Sequence, residues 1–116
     1  LAQILERDAS RWLRPVQGQF NIYYRRRNGP AGEQPEYVPD FVASTSAVNL
    51  LIETKKAMDI DSDEVKAKAK AAVEWCAHAS DYSARHGGKP WRYLLIPHDA
   101  VAVNATLGAL ATRFAL

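Results

Sequence analysis

Three charged residues stand inside otherwise apolar sequence: Asp40, Glu53 and Lys55. Asp40 lies in Tyr37-Val38-Pro39-Asp40-Phe41-Val42-Ala43, and the other two close Ala47-Val48-Asn49-Leu50-Leu51-Ile52-Glu53-Thr54-Lys55. Both runs have strand length and are rich in β-branched and aromatic side chains, and Ser44-Thr45-Ser46 between them reads as a hairpin connection. Side chains alternate along a strand, so Glu53 and Lys55 share a face and Thr54 points away. With Asp40 on the same side, two carboxylates and an amine meet in one small volume. Such charge inside a sheet is costly unless it is paired, solvated or ligating a metal. Carboxylates are the oxygen ligands that suit Mg²⁺. An ammonium beside them would stabilise negative charge as it develops in a transition state. A surface salt-bridge set is the competing reading of the same trio.

The elements that must hold these residues follow from periodicity. Ala2, Leu5, Ala9, Trp12 and Leu13 recur at helical spacing, predicting a first helix over about 2–13 that Pro15 stops. Phe20-Asn21-Ile22-Tyr23-Tyr24 reads as a strand, and the stretch from Arg25 to Pro35 reads as a loop because of its glycines and prolines. After the hairpin, Asp61-Ser62-Asp63-Glu64 opens the longest helix, with Asp61 and Glu64 at capping-box spacing and Gly87-Gly88 at its close. Its apolar stripe is Val65, Ala69, Ala72, Val73, Cys76 and Ala79, bordered by Lys66 and Lys70 on one side and Lys68 on the other. Trp91-Arg92-Tyr93-Leu94-Leu95-Ile96 is a buried-type strand, and Val103, Leu107, Leu110 and Phe114 mark a last helix. The expected order is helix, three strands, helix, strand, helix. That makes an α/β fold with a mixed sheet flanked by helices.

The chain has 116 residues, 47% hydrophobic and 24% charged, with net charge +2, which describes one globular domain with a single core. No apolar run approaches the roughly 20 residues of a membrane-spanning helix. The single Cys76 excludes an internal disulfide and reads as a packed thiol, and His78, His86 and His98 lack metal-ligand spacing. A reducing cytoplasm is the expected location. There is no Walker-type loop, so any ATP-driven step belongs to another domain. The chain begins with Leu1, and the expectation is a domain carried in a longer protein.

Pro39-Asp40, a strand-turn-strand gap and then Glu53-Thr54-Lys55 resemble the signature of the PD-(D/E)XK nucleases. The wording around them, with Val65–Ala72 and Trp75-Cys76 in the helix and Trp91–Pro97 after it, is most similar to the C-terminal endonuclease domain of type III restriction enzyme Res subunits and related helicase-like proteins. The resemblance implies Mg²⁺-dependent hydrolysis of phosphodiester bonds in double-stranded DNA, with Mn²⁺ as a substitute. Asp40, Glu53 and the Thr54 backbone carbonyl would hold the metal, and Lys55 would position the attacking water. Glu6, on the first helix, would assist the metal; its alternative is an exposed or salt-bridged glutamate at a helix end. Arg25, Arg26, Arg27, Lys56 and Lys66 are the expected phosphate contacts. Lys56 stands where this family often has glycine. A motor domain in the parent chain, and with it a modification subunit, are the implied partners. Two alternatives stay open: a DNA-binding or assembly domain of the same fold without turnover, and a freestanding repair or resolvase-type nuclease. An exposed Tyr23 or Tyr24 beside the arginines would point to base stacking.

Overall fold

The computed structural model describes residues 1–25, 34–102 and 104–116. Among them, strands β1 (Arg11–Leu13), β2 (Phe41–Ser44), β3 (Asn49–Lys55) and β4 (Trp91–Pro97) form one sheet in the order β1-β2-β3-β4. The first two pairings are antiparallel, and β3 runs parallel to β4. The crossover that a parallel pair requires is α2 (Asp63–Arg85), while α1 (Ala2–Asp8) and α3 (Leu107–Phe114) lie at the ends of the described chain. The architecture is α/β, a mixed four-stranded sheet flanked by helices.

Alternation along β3 divides the core in two. Leu50 and Ile52 join Ile4, Leu5, Phe41, Ala43, Leu94, Ile96, Leu107 and Leu110 on the face that α1 and α3 cover. Leu51 joins Tyr37, Tyr93 and the small residues Ala69, Ala72 and Cys76 of α2 on the other. Period-two alternation then carries Glu53 and Lys55 onto the α2 face. The alanines let α2 lie close to the sheet. Ser62 caps α2 by accepting the Val65 amide at 3.2 Å, one residue later than the Asp61 cap expected from sequence. At the other end Gly87 takes φ +73°, which only glycine adopts without strain, and the Gly88 amide returns to the Ser83 carbonyl.

Two expected elements are corrected. The first helix ends at Asp8 and does not reach Leu13. The Ala9 backbone turns extended, the Ser10 amide donates to the Ser44 carbonyl at 2.8 Å, and Trp12 pairs with Ala43 as part of β1. The free edge of β2 offers ladder bonds that a short helix cannot match, and tertiary pairing overrides helical spacing. Phe20–Tyr24 does not form a strand of the sheet: Asn21 sits at φ +54°, and the segment meets residues 35–37 through the isolated bridge between Tyr23 and Glu36. The count of three strands before α2 holds because β1 takes its place. Val103, expected in the last helix, lies outside the described residues.

Leu94 is completely buried between the sheet and the α1/α3 layer. Leu94→Ala should therefore lower the unfolding free energy by about 2–5 kcal/mol. Val16→Ala, at a position 65% exposed, should change it by less than about 0.5 kcal/mol. Urea denaturation of the two variants measures the difference.

Candidate active site

Strand β2 stops one residue short of Asp40, and proline explains where. The register pairs Phe41 with Ile52, so its continuation sets Asp40 opposite Glu53 and Pro39 opposite Thr54. Proline has no amide hydrogen, so the ladder donor due to the Thr54 carbonyl is missing. The Thr54 amide finds a side chain in place of a strand: Asp40 Oδ2 accepts it at 2.9 Å and accepts the Thr54 hydroxyl at 3.0 Å. Thr54 is thus tied to Asp40, whereas strand alternation alone left its hydroxyl free to bond elsewhere. Among the described residues no donor meets Asp40 Oδ1.

Glu53 is the buried charged residue of the described core, 5% exposed. Its Oε1 accepts the Tyr37 hydroxyl at 2.8 Å and the Asp40 backbone amide at 3.2 Å, and its Oε2 lies 3.2 Å from the Lys55 ammonium. The Tyr37 hydroxyl in turn lies 2.9 Å from that of Tyr93, and both phenols are buried. A hydroxyl has one hydrogen. Because Tyr37 gives its own to the carboxylate, Tyr93 donates to Tyr37, and the chain of bonds runs Tyr93 to Tyr37 to Glu53. Burial, and then the nearby charge of Asp40, push the Glu53 carboxyl above its ordinary value; the Tyr37 hydrogen bond and the Lys55 charge pull it back. Burial likewise pushes both tyrosines far up, so they stay protonated donors.

The acceptor positions left open decide whether a cation fits. A carboxylate offers about four lone-pair sites. Asp40 keeps both on Oδ1, Glu53 keeps one on Oε2, and the Thr54 carbonyl lacks its ladder donor. That is a hard-oxygen set of two carboxylates and a carbonyl. Mg²⁺ is commonly bound by one or two carboxylates, with waters and substrate phosphate filling the remainder. The set fits.

The other expected residues are distributed unevenly. Glu6 accepts the Trp12 indole N–H at 2.6 Å, and among the described residues no three His, Cys, Asp or Glu side chains gather where a metal could sit. Glu6 therefore does not join Asp40 and Glu53 as a third carboxylate. Lys56 follows β3 on the surface, and Lys66 is exposed in the first turns of α2. Arg25 lines a hollow of about 420 Å³ together with Tyr23, Lys70 and Glu74. Tyr23 is half-exposed there, whereas Tyr24 is buried. Arg26 and Arg27 lie outside the described residues. His78, His86 and His98 are exposed, and burial pushes the Cys76 thiol up to about 12, which leaves it an inert packed group.

Sequence reasoning missed Tyr37, Tyr93 and Lys68. A signal existed for the phenols: a tyrosine within an aliphatic strand must find a partner for its hydroxyl once buried. Lys68, bordering the stripe of α2, turns over the rings of Tyr24 and Tyr37; helical spacing places it at a border but does not reveal which border meets the site.

No protein-family model, no curated protein and no solved structure matches this chain.

The raised Glu53 carboxyl makes stability depend on pH. Between the ordinary value of 4.5 and the higher folded value, the folded protein keeps a proton that the unfolded chain has released. The unfolding free energy therefore falls as pH rises through that window. In urea melts across this range, Glu53→Gln should remove that part of the decline; an unchanged pH dependence would show that Glu53 titrates normally.

Proposed function

We propose that this chain is a Mg²⁺-dependent endonuclease domain hydrolysing phosphodiester bonds in double-stranded DNA, on the PD-(D/E)XK pattern and akin to the endonuclease domain of type III restriction Res subunits. The observation that carries the reading is the Lys55–Glu53 pair at 3.2 Å on one face of β3, with Asp40 beside it and Asp40 Oδ1 open. The order of helix, three strands, helix, strand and helix agrees with that pattern.

Asp40, Glu53 and the Thr54 carbonyl would hold the metal. When bound, Mg²⁺ supplies charge neutralisation at the phosphate and a lowered pKa for coordinated water. The protein's own residues do the positioning. Thr54 anchors one oxygen of Asp40 so that the other is presented outward. Tyr37 and the Asp40 amide fix Glu53 through Oε1, leaving Oε2 to face Lys55. Lys55, with its side chain one-third exposed, can turn its ammonium from Glu53 toward a phosphate oxygen or the attacking water. Arg25, Lys56 and Lys66 supply exposed positive charge for the DNA backbone, and the sequence assigns Arg26 and Arg27 the same role. A motor domain in a parent protein would couple cleavage to ATP, and a modification subunit would be its companion in a restriction system.

A second reading has one observation in its favour: Lys55 already satisfies Glu53 without any cation. On that reading the chain binds DNA or assembles a larger protein and turns nothing over. Calorimetry separates the two. Mn²⁺ should bind the unsubstituted protein and fail to bind Asp40→Asn or Glu53→Gln; equal heats from all three support the second reading.

For the hydrolytic reading, Asp40→Asn, Glu53→Gln and Lys55→Ala should each lower Mg²⁺-dependent nicking of plasmid DNA by at least about 10²-fold. Circular dichroism checks that the fold is kept. Nicking at the unsubstituted rate by any one folded variant would overturn the assignment.

A further inference from the structure

Among the lysines of α2, Lys68 is the one seated next to Glu53's hydrogen-bond partner. Its ammonium stands 5.5 Å from the ring centre of Tyr24 and 5.8 Å from that of Tyr37, the phenol that donates to Glu53. The side chain is half-buried, while Lys66 and Lys70 are exposed. Aromatic faces attract a cation through the ring quadrupole. They do not fill the three N–H donors of an ammonium as oxygen acceptors would. Among the described residues no carboxylate lies within ion-pair distance of Lys68. Glu64, one turn earlier on α2, accepts the Tyr24 hydroxyl at 3.1 Å, and Glu53 pairs with Lys55.

An ammonium seated over two rings, with no carboxylate partner among the described residues, is a site for an anionic oxygen, and the nearest candidate chemistry handles phosphates. The geometry points to Lys68 as a phosphate-binding residue. It takes a non-bridging oxygen of the DNA backbone next to the phosphate held at Asp40 and Glu53, while the faces of Tyr24 and Tyr37 hold its ammonium in place. This rests on the reading of the chain as a DNA-cutting domain and adds to it the contact made by α2. Lys68, and not Lys66, is the helix lysine directed at the centre.

The test is binding of a short fluorescently labelled DNA duplex in EDTA over a series of salt concentrations, where cleavage does not interfere. Lys68→Met keeps an apolar stem over the rings and removes the charge. It should weaken binding and make the plot of log affinity against log salt shallower by about 0.9. Lys68→Arg should restore the slope, and Arg113→Met, on α3 across the sheet, should leave it unchanged. A wild-type slope in Lys68→Met overturns the inference. In the unsubstituted protein the duplex should also protect Lys68 from acetylation, read by mass spectrometry; equal labelling with and without DNA overturns it too. A Lys68-dependent slope in a chain that cuts nothing in Mg²⁺ keeps the inference and removes the hydrolytic reading. Cleavage with an unaltered slope in Lys68→Met does the reverse, and failure of the unsubstituted protein to bind duplex in EDTA overturns the inference about Lys68 alone.

Discussion

The site depends on keeping a carboxylate inside the sheet. Glu53 sits on β3 between an aliphatic strand and a helix of alanines, where an isolated negative charge would cost far more than the fold could offset. Four groups make the position tolerable: the Lys55 ammonium, the Tyr37 hydroxyl, the Asp40 amide and, through Tyr37, the Tyr93 hydroxyl. They come from three parts of the chain: Lys55 from β3, Tyr37 and Asp40 from the segment before β2, and Tyr93 from β4. The carboxylate therefore ties β3, β4 and the segment before β2 into one geometry.

A second constraint is where β2 begins. Pro39 cannot donate to Thr54, so the antiparallel ladder ends there and the backbone bends at Asp40. The bend brings an aspartate amide to Glu53 and an aspartate carboxylate to Thr54. Both acids thereby meet at the end of a strand, with one of them partly open to solvent. A longer β2 would bury the Thr54 carbonyl in a ladder bond.

The two faces of the sheet divide the labour. Beneath one, α1 and α3 pack on Leu50, Ile52, Leu94 and Ile96, an apolar layer with no polar demands. Over the other, α2 contributes small residues that allow close approach, together with Lys68, which covers the tyrosines. The paired charges of Glu53 and Lys55 lie on the second face, at its end, where β3 runs out into Lys55.

The sequence by itself determined the hairpin of β2 and β3, the long helix after it, the buried strand β4, and the common face of Glu53 and Lys55. These follow from local periodicity and the strict alternation of strands, and neighbours along the chain suffice to specify them. Only the tertiary structure decided that Trp12 belongs to a strand, since the bonds that capture it come from Ser44 and Ala43, more than thirty positions away in the chain. The same is true of Glu6, which turns to Trp12 rather than to the acids, and of Tyr37, Tyr93 and Lys68. Which side chains surround a buried carboxylate depends on the packing of β4 and α2 against β3, and no local pattern encodes those distances.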